Sequence, residues 1–135
     1  MAVQELMDNN AYEDEKYFSK KKVCNKKGKL SMLQFLNSDK KIYKILFYDN
    51  DERLSNMCLY NTTTGKETTN ITYKADGKTI SSIREFDSDG DKLLSITFYK
   101  PDGLSVSSII EYSMDGKETY LTMFGDCGQV EVKTI

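Results

Sequence analysis

The chain contains no histidine, no tryptophan and a single proline, and only three of its 135 residues are cysteine. Without histidine, the commonest general base and the commonest metal ligand are both missing. No apolar run approaches the roughly 18 residues of a membrane-spanning helix. The opening MAVQELMDNN has neither the charged head nor the apolar stretch of a secretory signal. Cys24, Cys58 and Cys127 are odd in number, far apart and contain no CxxC pair. That argues against a zinc site and against a disulfide framework. The plain reading is three thiols in a reducing compartment, hence a cytoplasmic protein without cofactor. The formal charge is −2 and 39% of residues are hydrophobic, enough for one lean core.

What is present is a repeat, and self-similarity takes precedence over other signals. Residues 73–90, YKADGKTISSIREFDSDG, and 99–116, YKPDGLSVSSIIEYSMDG, agree at ten of eighteen positions. Each unit is itself double. An aromatic followed four residues later by glycine recurs as Tyr73/Gly77, Phe86/Gly90, Tyr99/Gly103, Tyr112/Gly116 and Phe124/Gly128, at steps of 13, 13, 13 and 12. Towards the start the pattern wears down through Tyr60/Gly65, Tyr48/Glu52, Leu36/Lys40 and Cys24/Gly28, with Tyr12/Lys16 as a badly worn further copy.

A beat of 12–13 residues is too short for a helical repeat and fits one strand plus one turn. The fold class expected is all-β: an antiparallel meander of about nine strands over residues 17–135. Before it comes an N-terminal segment, residues 1–16, with a short helix as an option over 3–10. The pairs Asp76-Gly77, Asp89-Gly90, Asp102-Gly103 and Asp115-Gly116 are the preferred spelling of a two-residue type I′ hairpin, in which both central residues have φ > 0. Such turns would set Tyr73 opposite Ile80, Phe86 opposite Leu93 and Tyr99 opposite Val106. They would also line up Ile83, Ile96 and Ile109 as one cross-strand row. Because Ile83 and Phe86 are three apart while side chains alternate with period two, each strand would carry apolar groups both ways. Either the sheet curls or partly closes over one row, or a bulge in each strand brings both rows to one side. Curling is preferred, since little else could cover the sheet.

The Tyr-x-x-Asp-Gly spelling is carried by Tyr73/Asp76/Gly77/Lys78, Tyr99/Asp102/Gly103 and Tyr112/Asp115/Gly116/Lys117. It resembles bacterial YD or RHS-type repeats, MORN-like hairpin repeats, and short Tyr-x-x-Asp-Gly-Lys repeats of unknown function. The Tyr-Glu-Gly core of classical MORN repeats is absent. The chain is also too short for an RHS shell. The resemblance implies a hairpin sheet with a binding role and no inherited catalytic residue.

Several residue groups are candidates for that role. Lys16, Lys20, Lys21, Lys22, Lys26, Lys27 and Lys29 crowd residues 16–29 without an acid, beside Tyr17 and Phe18. The patch fits docking of an acidic partner. An edge strand guarded against aggregation by lysine fits it better. The overall acidity disfavours nucleic acid. Tyr73, Tyr99 and Tyr112 are either core or recognition residues, set on two rims at opposite strand ends. Asp87, Asp89 and Asp91 in DSDGD look like the start of a calcium loop without its later bidentate glutamate, and also like an ordinary turn. Glu85 and Glu111 occupy equivalent places two strands apart, at a separation of ~10 Å, near the limit for an inverting glycosidase pair. Repetition explains them more simply. Ser81, Ser82, Ser107 and Ser108 have no histidine to activate them, and the cysteines are no better placed as nucleophiles. The reading reached is a non-catalytic protein-binding module of the immunity, inhibitor or adaptor kind. The alternatives are self-association through sheet edges and, further off, a small acid-pair hydrolase.

Overall fold

The computed structural model describes residues 17–125 and 128–134. They form ten strands: β1 (Tyr17–Cys24), β2 (Leu30–Asn37), β3 (Ile42–Tyr48), β4 (Leu54–Tyr60), β5 (Glu67–Tyr73), β6 (Ile80–Phe86), β7 (Leu93–Tyr99), β8 (Val106–Tyr112), β9 (Thr119–Gly125) and β10 (Gly128–Thr134). Each strand pairs antiparallel with its sequence neighbours in one sheet of order β1 to β10, and β1 does not meet β10, so the sheet is open. The count exceeds the expected nine by the strand after the last aromatic anchor. Segment 3–10, where a short helix was an option, and the worn copy at Tyr12/Lys16 lie outside the described residues. Among the described residues no helix is long and apolar enough to cross a membrane.

The turns set the beat. In the first three, five residues long, the amides of Asn25, Asn37 and Asp49 donate to the carbonyls of Lys29, Lys41 and Arg53. The next five are six residues long and are closed by Asn61 to Lys66, Lys74 to Thr79, Asp87 to Lys92, Lys100 to Ser105 and Ser113 to Glu118. The stretch from one closing residue to the next opening residue does not change. The drift of the period from 12 to 13 is therefore one residue added to each turn, with the strands untouched.

The turns are not the expected two-residue type I′ hairpins. Gly77, Gly90, Gly103 and Gly116 have φ between 72° and 74°, but the aspartates before them do not share the positive φ. Asp76 and Asp102 put their carboxylates to another use. Asp76 Oδ1 accepts the amides of Lys78 and Thr79 at 2.9 and 2.8 Å, and Asp102 Oδ1 accepts those of Leu104 and Ser105 at 2.8 and 2.9 Å. A carboxylate that satisfies two otherwise orphaned amides needs a wider loop than a two-residue turn allows.

The register holds at the first pair beyond each turn and then slips. Tyr73 faces Ile80, Phe86 faces Leu93 and Tyr99 faces Val106, as the repeat predicts. One step further, Thr72 faces Ser82, which leaves Ser81 as an extra residue. The same irregularity leaves Ser31, Tyr43, Ser55, Thr68, Leu94 and Ser107 unopposed at the second position of β2, β3, β4, β5, β7 and β8. The hydroxyls of Ser31, Ser55 and Thr68 donate to the carbonyls of Val23, Phe47 and Leu59, at 3.0, 3.1 and 3.3 Å, groups that the bulge sets apart from the ladder.

The bulge overturns the expected isoleucine row. Ile83 lies between Ile71 and Thr97, Ile96 between Arg84 and Ile110, and Ile109 between Thr97 and Thr122. One inserted residue inverts the faces of everything beyond it. It also brings Ile80 and Ile83, three apart, to the same side. Met57, Ile71, Tyr73, Ile80 and Ile83 form a buried cluster there, joined by Leu46, Leu54 and Tyr99. This side is called face A, and Ile71 at its centre is fully buried. The bulge, rather than curling, brings the two apolar sets together. The opposite side, face B, buries Ile45, Cys58 and Ile96. It is crossed by a polar band in which Asn56 Nδ2 donates to Asn70 Oδ1 and Thr72 Oγ1, both at 3.1 Å.

Along one rim the turns are tied in series. Lys29 Nζ donates to Asn50 O at 3.0 Å, Arg53 Nη1 to Ala75 O at 3.4 Å, Lys74 Nζ to Pro101 O at 3.3 Å and Lys100 Nζ to Gly125 O at 3.4 Å. On the other rim Asn61 Nδ2 donates to Ser88 O at 2.6 Å, Lys66 pairs with Asp91, and Lys92 Nζ donates to Met114 O at 2.7 Å. Each of these turns thus reaches the turn two strands further on.

Candidate functional site

The basic stretch forms one end of the sheet. β1 is an outermost strand, and Lys20, Lys21 and Lys22 on it are exposed. Lys26, Lys27 and Lys29 follow in the exposed turn and line, with Asn25 and Asn50, a shallow depression of about 320 Å³. Pairing with β2 directs Lys20 and Lys22 to face A, opposite Phe35 and Leu33, and Lys21 to face B, opposite Gln34. Tyr17 and Phe18 begin the strand, while their side chains and Lys16 fall outside the described part. Charge is graded along the sheet: residues 17–60 hold ten Lys or Arg against four Asp or Glu, and residues 61–135 hold eight against twelve.

The aromatic anchors separate by face as well as by strand end. Tyr48, Tyr73 and Tyr99 close odd-numbered strands and point to face A, whereas Tyr60, Phe86 and Tyr112 close even-numbered strands and point to face B. Tyr73 is buried at 6% exposure and belongs to the core. Burial raises the hydroxyl pKa of Tyr48 and Tyr73, and burial followed by the charge of Glu85 raises that of Tyr99. Tyr73 and Tyr99 therefore share a side, and Tyr112 stands apart on the other.

Two of the aspartates of DSDGD, Asp87 and Asp91, have partners in the turns. Asp87 Oδ1 accepts the Asp91 amide at 2.9 Å, and Asp91 pairs with Lys66. Among the described residues no group of three or more acids or cysteines is placed to hold a metal ion. Glu85 and Glu111 both face Ser95, on one cross-strand row and one face, and both are exposed. Ser81 and Ser107 are bulge residues, while Ser82 faces Thr72 and Phe98, and Ser108 faces Phe98 and Met123. Cys58 is buried. Desolvation, then the charge and hydrogen bond of Glu67, push its thiol up to about 12, so it is held as the unreactive thiol. Cys24 is exposed, and Cys127 lies outside the described residues.

Two features were not legible as site elements in the sequence. Lys44 is buried at 2% exposure on face A, with Nζ 4.3 Å from the centre of the Phe35 ring. Lys20 Nζ lies 5.4 Å from the same ring. Phe35 thus has two ammonium groups within cation–π reach. The second feature is a groove of about 540 Å³ on face A, spanning β4 to β8, whose lining includes Thr69, Ile83, Glu85, Tyr99, Val106 and Ile109. It exists because the bulges return Ile83 and Ile109 to the side that Tyr99 occupies, a placement the unbulged register denies.

With this geometry in place, comparison with known proteins narrows the field only slightly. Residues 47–97 match the family model described as a protein of unknown function, DUF2963. The match runs from the end of β3 to the middle of β7, and so covers the part of the sheet that holds the buried cluster. No curated protein matches the chain.

Proposed function

We propose that the chain is a non-catalytic protein-binding module, of the kind that serves as an immunity protein, inhibitor or adaptor in the cytoplasm, and that its basic edge receives an acidic partner protein. The observation that carries this reading is the concentration of exposed lysines on β1 and its following turn, at the outer edge of a sheet whose far half is acidic. A surface of one sign steers a partner of the other, and β1 offers backbone groups for an added strand. The likeness of the Tyr-x-x-Asp-Gly repeats to binding repeats supports the same reading by analogy. Capture from native lysate, with the wild-type chain beside the variant Lys21→Glu, Lys22→Glu, Lys26→Glu, Lys27→Glu, tests it. A stoichiometric protein retained by the first and lost by the second is the expected result. A partner held equally by both, or a variant that merely aggregates, assigns the lysines to edge protection instead.

A second reading is assembly between copies through the outer strands, supported by the fact that no strand lies beyond β1 or β10 among the described residues. Light scattering separates the two, since assembly requires concentration-dependent oligomers of the chain alone.

A further inference from the structure

The groove on face A has a composition that selects its occupant. Its floor is apolar, made by Ile83 and Ile109, which neighbour Thr97 from either side. Tyr99 and Val106, directly opposed across β7 and β8, close one end. At the other end Glu85, exposed, faces Thr69 and Ser95, with Glu111 next on the same row. An anion would meet two carboxylates on its own side of the sheet. A purely apolar group would strip water from Glu85 and from the hydroxyls of Thr69 and Thr97 without replacing its hydrogen bonds, which is costly. The groove suits a side chain with an apolar stem and a cationic head. The acidic balance of residues 61–135 favours the same sign of ligand. Between the two cationic side chains, guanidinium is the less strongly hydrated, stacks on aromatic rings and pairs with a carboxylate in two parallel bonds, whereas ammonium is a compact, strongly hydrated point charge. A volume of about 540 Å³ accommodates one long side chain with its flanking backbone.

We propose that this groove is an anchor site for an arginine side chain of a partner protein, with the aliphatic stem along Ile83 and Ile109 and the guanidinium against Glu85. The inference stands on the groove alone and is independent of whether the lysine edge docks anything.

The test is an amide-resolved NMR titration of the full chain with a blocked Gly-Gly-Arg-Gly-Gly peptide. The same peptide carrying citrulline or lysine in place of arginine serves as comparison. The expected result is a set of saturating shifts confined to Thr69, Ile83, Glu85, Thr97, Val106 and Ile109. Binding should weaken at least tenfold for citrulline, measurably for lysine, and at least fivefold in Glu85→Gln. Equal binding of the citrulline or lysine peptide overturns the proposal. So do shifts spread over the acidic turn around Asp87–Asp91, an unaltered affinity in Glu85→Gln, or no shifts at all. The peptide comparisons use the unaltered chain, so their outcome does not depend on how the variant folds.

Discussion

At Lys40 and Glu52 the backbone passes through the left-handed region with ordinary side chains, at φ 62° and 60°, whereas the corresponding places in later turns are Gly77, Gly90 and Gly103. The difference is one of contact. A Cβ on Gly77 would stand 3.0 Å from Arg53 Cβ, and one on Gly103 would stand 2.6 Å from Thr79 Cγ2 and 3.1 Å from the Ile80 nitrogen. On Gly90 it would run into Lys66 Cβ. Around Gly28, Gly65 and Gly116 nothing lies within 4 Å. Left-handed backbone by itself is tolerated without glycine, at a cost of roughly 1 kcal/mol. Left-handed backbone pressed beneath a neighbouring turn is not. In the middle of the sheet glycine therefore serves two purposes, and towards the first strands only one.

The largest effect that probes this contrast is Gly103→Val set against Gly28→Val. The first adds a branched side chain both to a positive φ and to a filled space, and should cost about 3 kcal/mol or more. The second meets only the backbone penalty, about 1–2 kcal/mol. Urea denaturation of both variants reads the difference, and equal losses would mean that the close approach at Gly103 is immaterial.

Acid should divide the same two regions. The Thr79 hydroxyl, then the amides of Thr79 and Lys78, hold the Asp76 carboxyl down at about 2, and amide bonds from Ser105 and Leu104 lower that of Asp102. A carboxyl depressed in the folded chain contributes stability above its unfolded value near 4, and that contribution is lost as pH falls towards about 2. The first two turns use the amide oxygens of Asn25 and Asn37 in the same role, and these do not titrate. Between pH 4 and 2, hydrogen exchange should speed up at Lys78, Thr79, Leu104 and Ser105 before it does at Lys27, Lys29, Asp39 and Lys41. Simultaneous loss would show that the turn carboxylates are not what acid attacks first.

The smallest effect has the opposite sign. Glu52→Gly relieves a side chain held at positive φ and should stabilise by about 0.5–1 kcal/mol, read as a raised urea midpoint with unchanged slope. A loss instead would mean that the Glu52 side chain makes a contact worth more than the strain it bears.

The strand-and-turn beat was legible because aromatic and glycine recur at fixed distance, and the first pair beyond each turn followed from it. The rest of the register was not, because a bulge leaves no gap in the period. Its signature was nonetheless in the letters. Ser31, Ser55, Thr68, Ser81 and Ser107 put a small hydroxyl at the second strand position, and Ile80 and Ile83 are apolar three apart. Both marks make sense only if one residue drops out of the alternation. Ser81 and Ser107, the first serines of the two SSI runs, raised the question of nucleophiles and mark the bulge. The lysine edge was visible as composition. The groove was not, since Glu85, Tyr99, Ile83 and Ile109 converge only after the faces have been corrected. The polar band of Asn56, Asn70 and Thr72 was likewise hidden, because each looks like an ordinary loop-forming or strand-edge residue until paired.

From the turn at Asn25 to the turn at Glu118 all variation in the period resides in the turns, while the span between them is constant. Length changes in this chain are thereby uncoupled from the inside–outside assignment of every side chain. A hairpin of two strands could be excised or duplicated, and the remaining residues would keep their sides, their partners and their ties to the turn two strands away. The molecule is extensible in the manner of a ladder to which rungs are added in pairs, so its length can change without redesign of its interior.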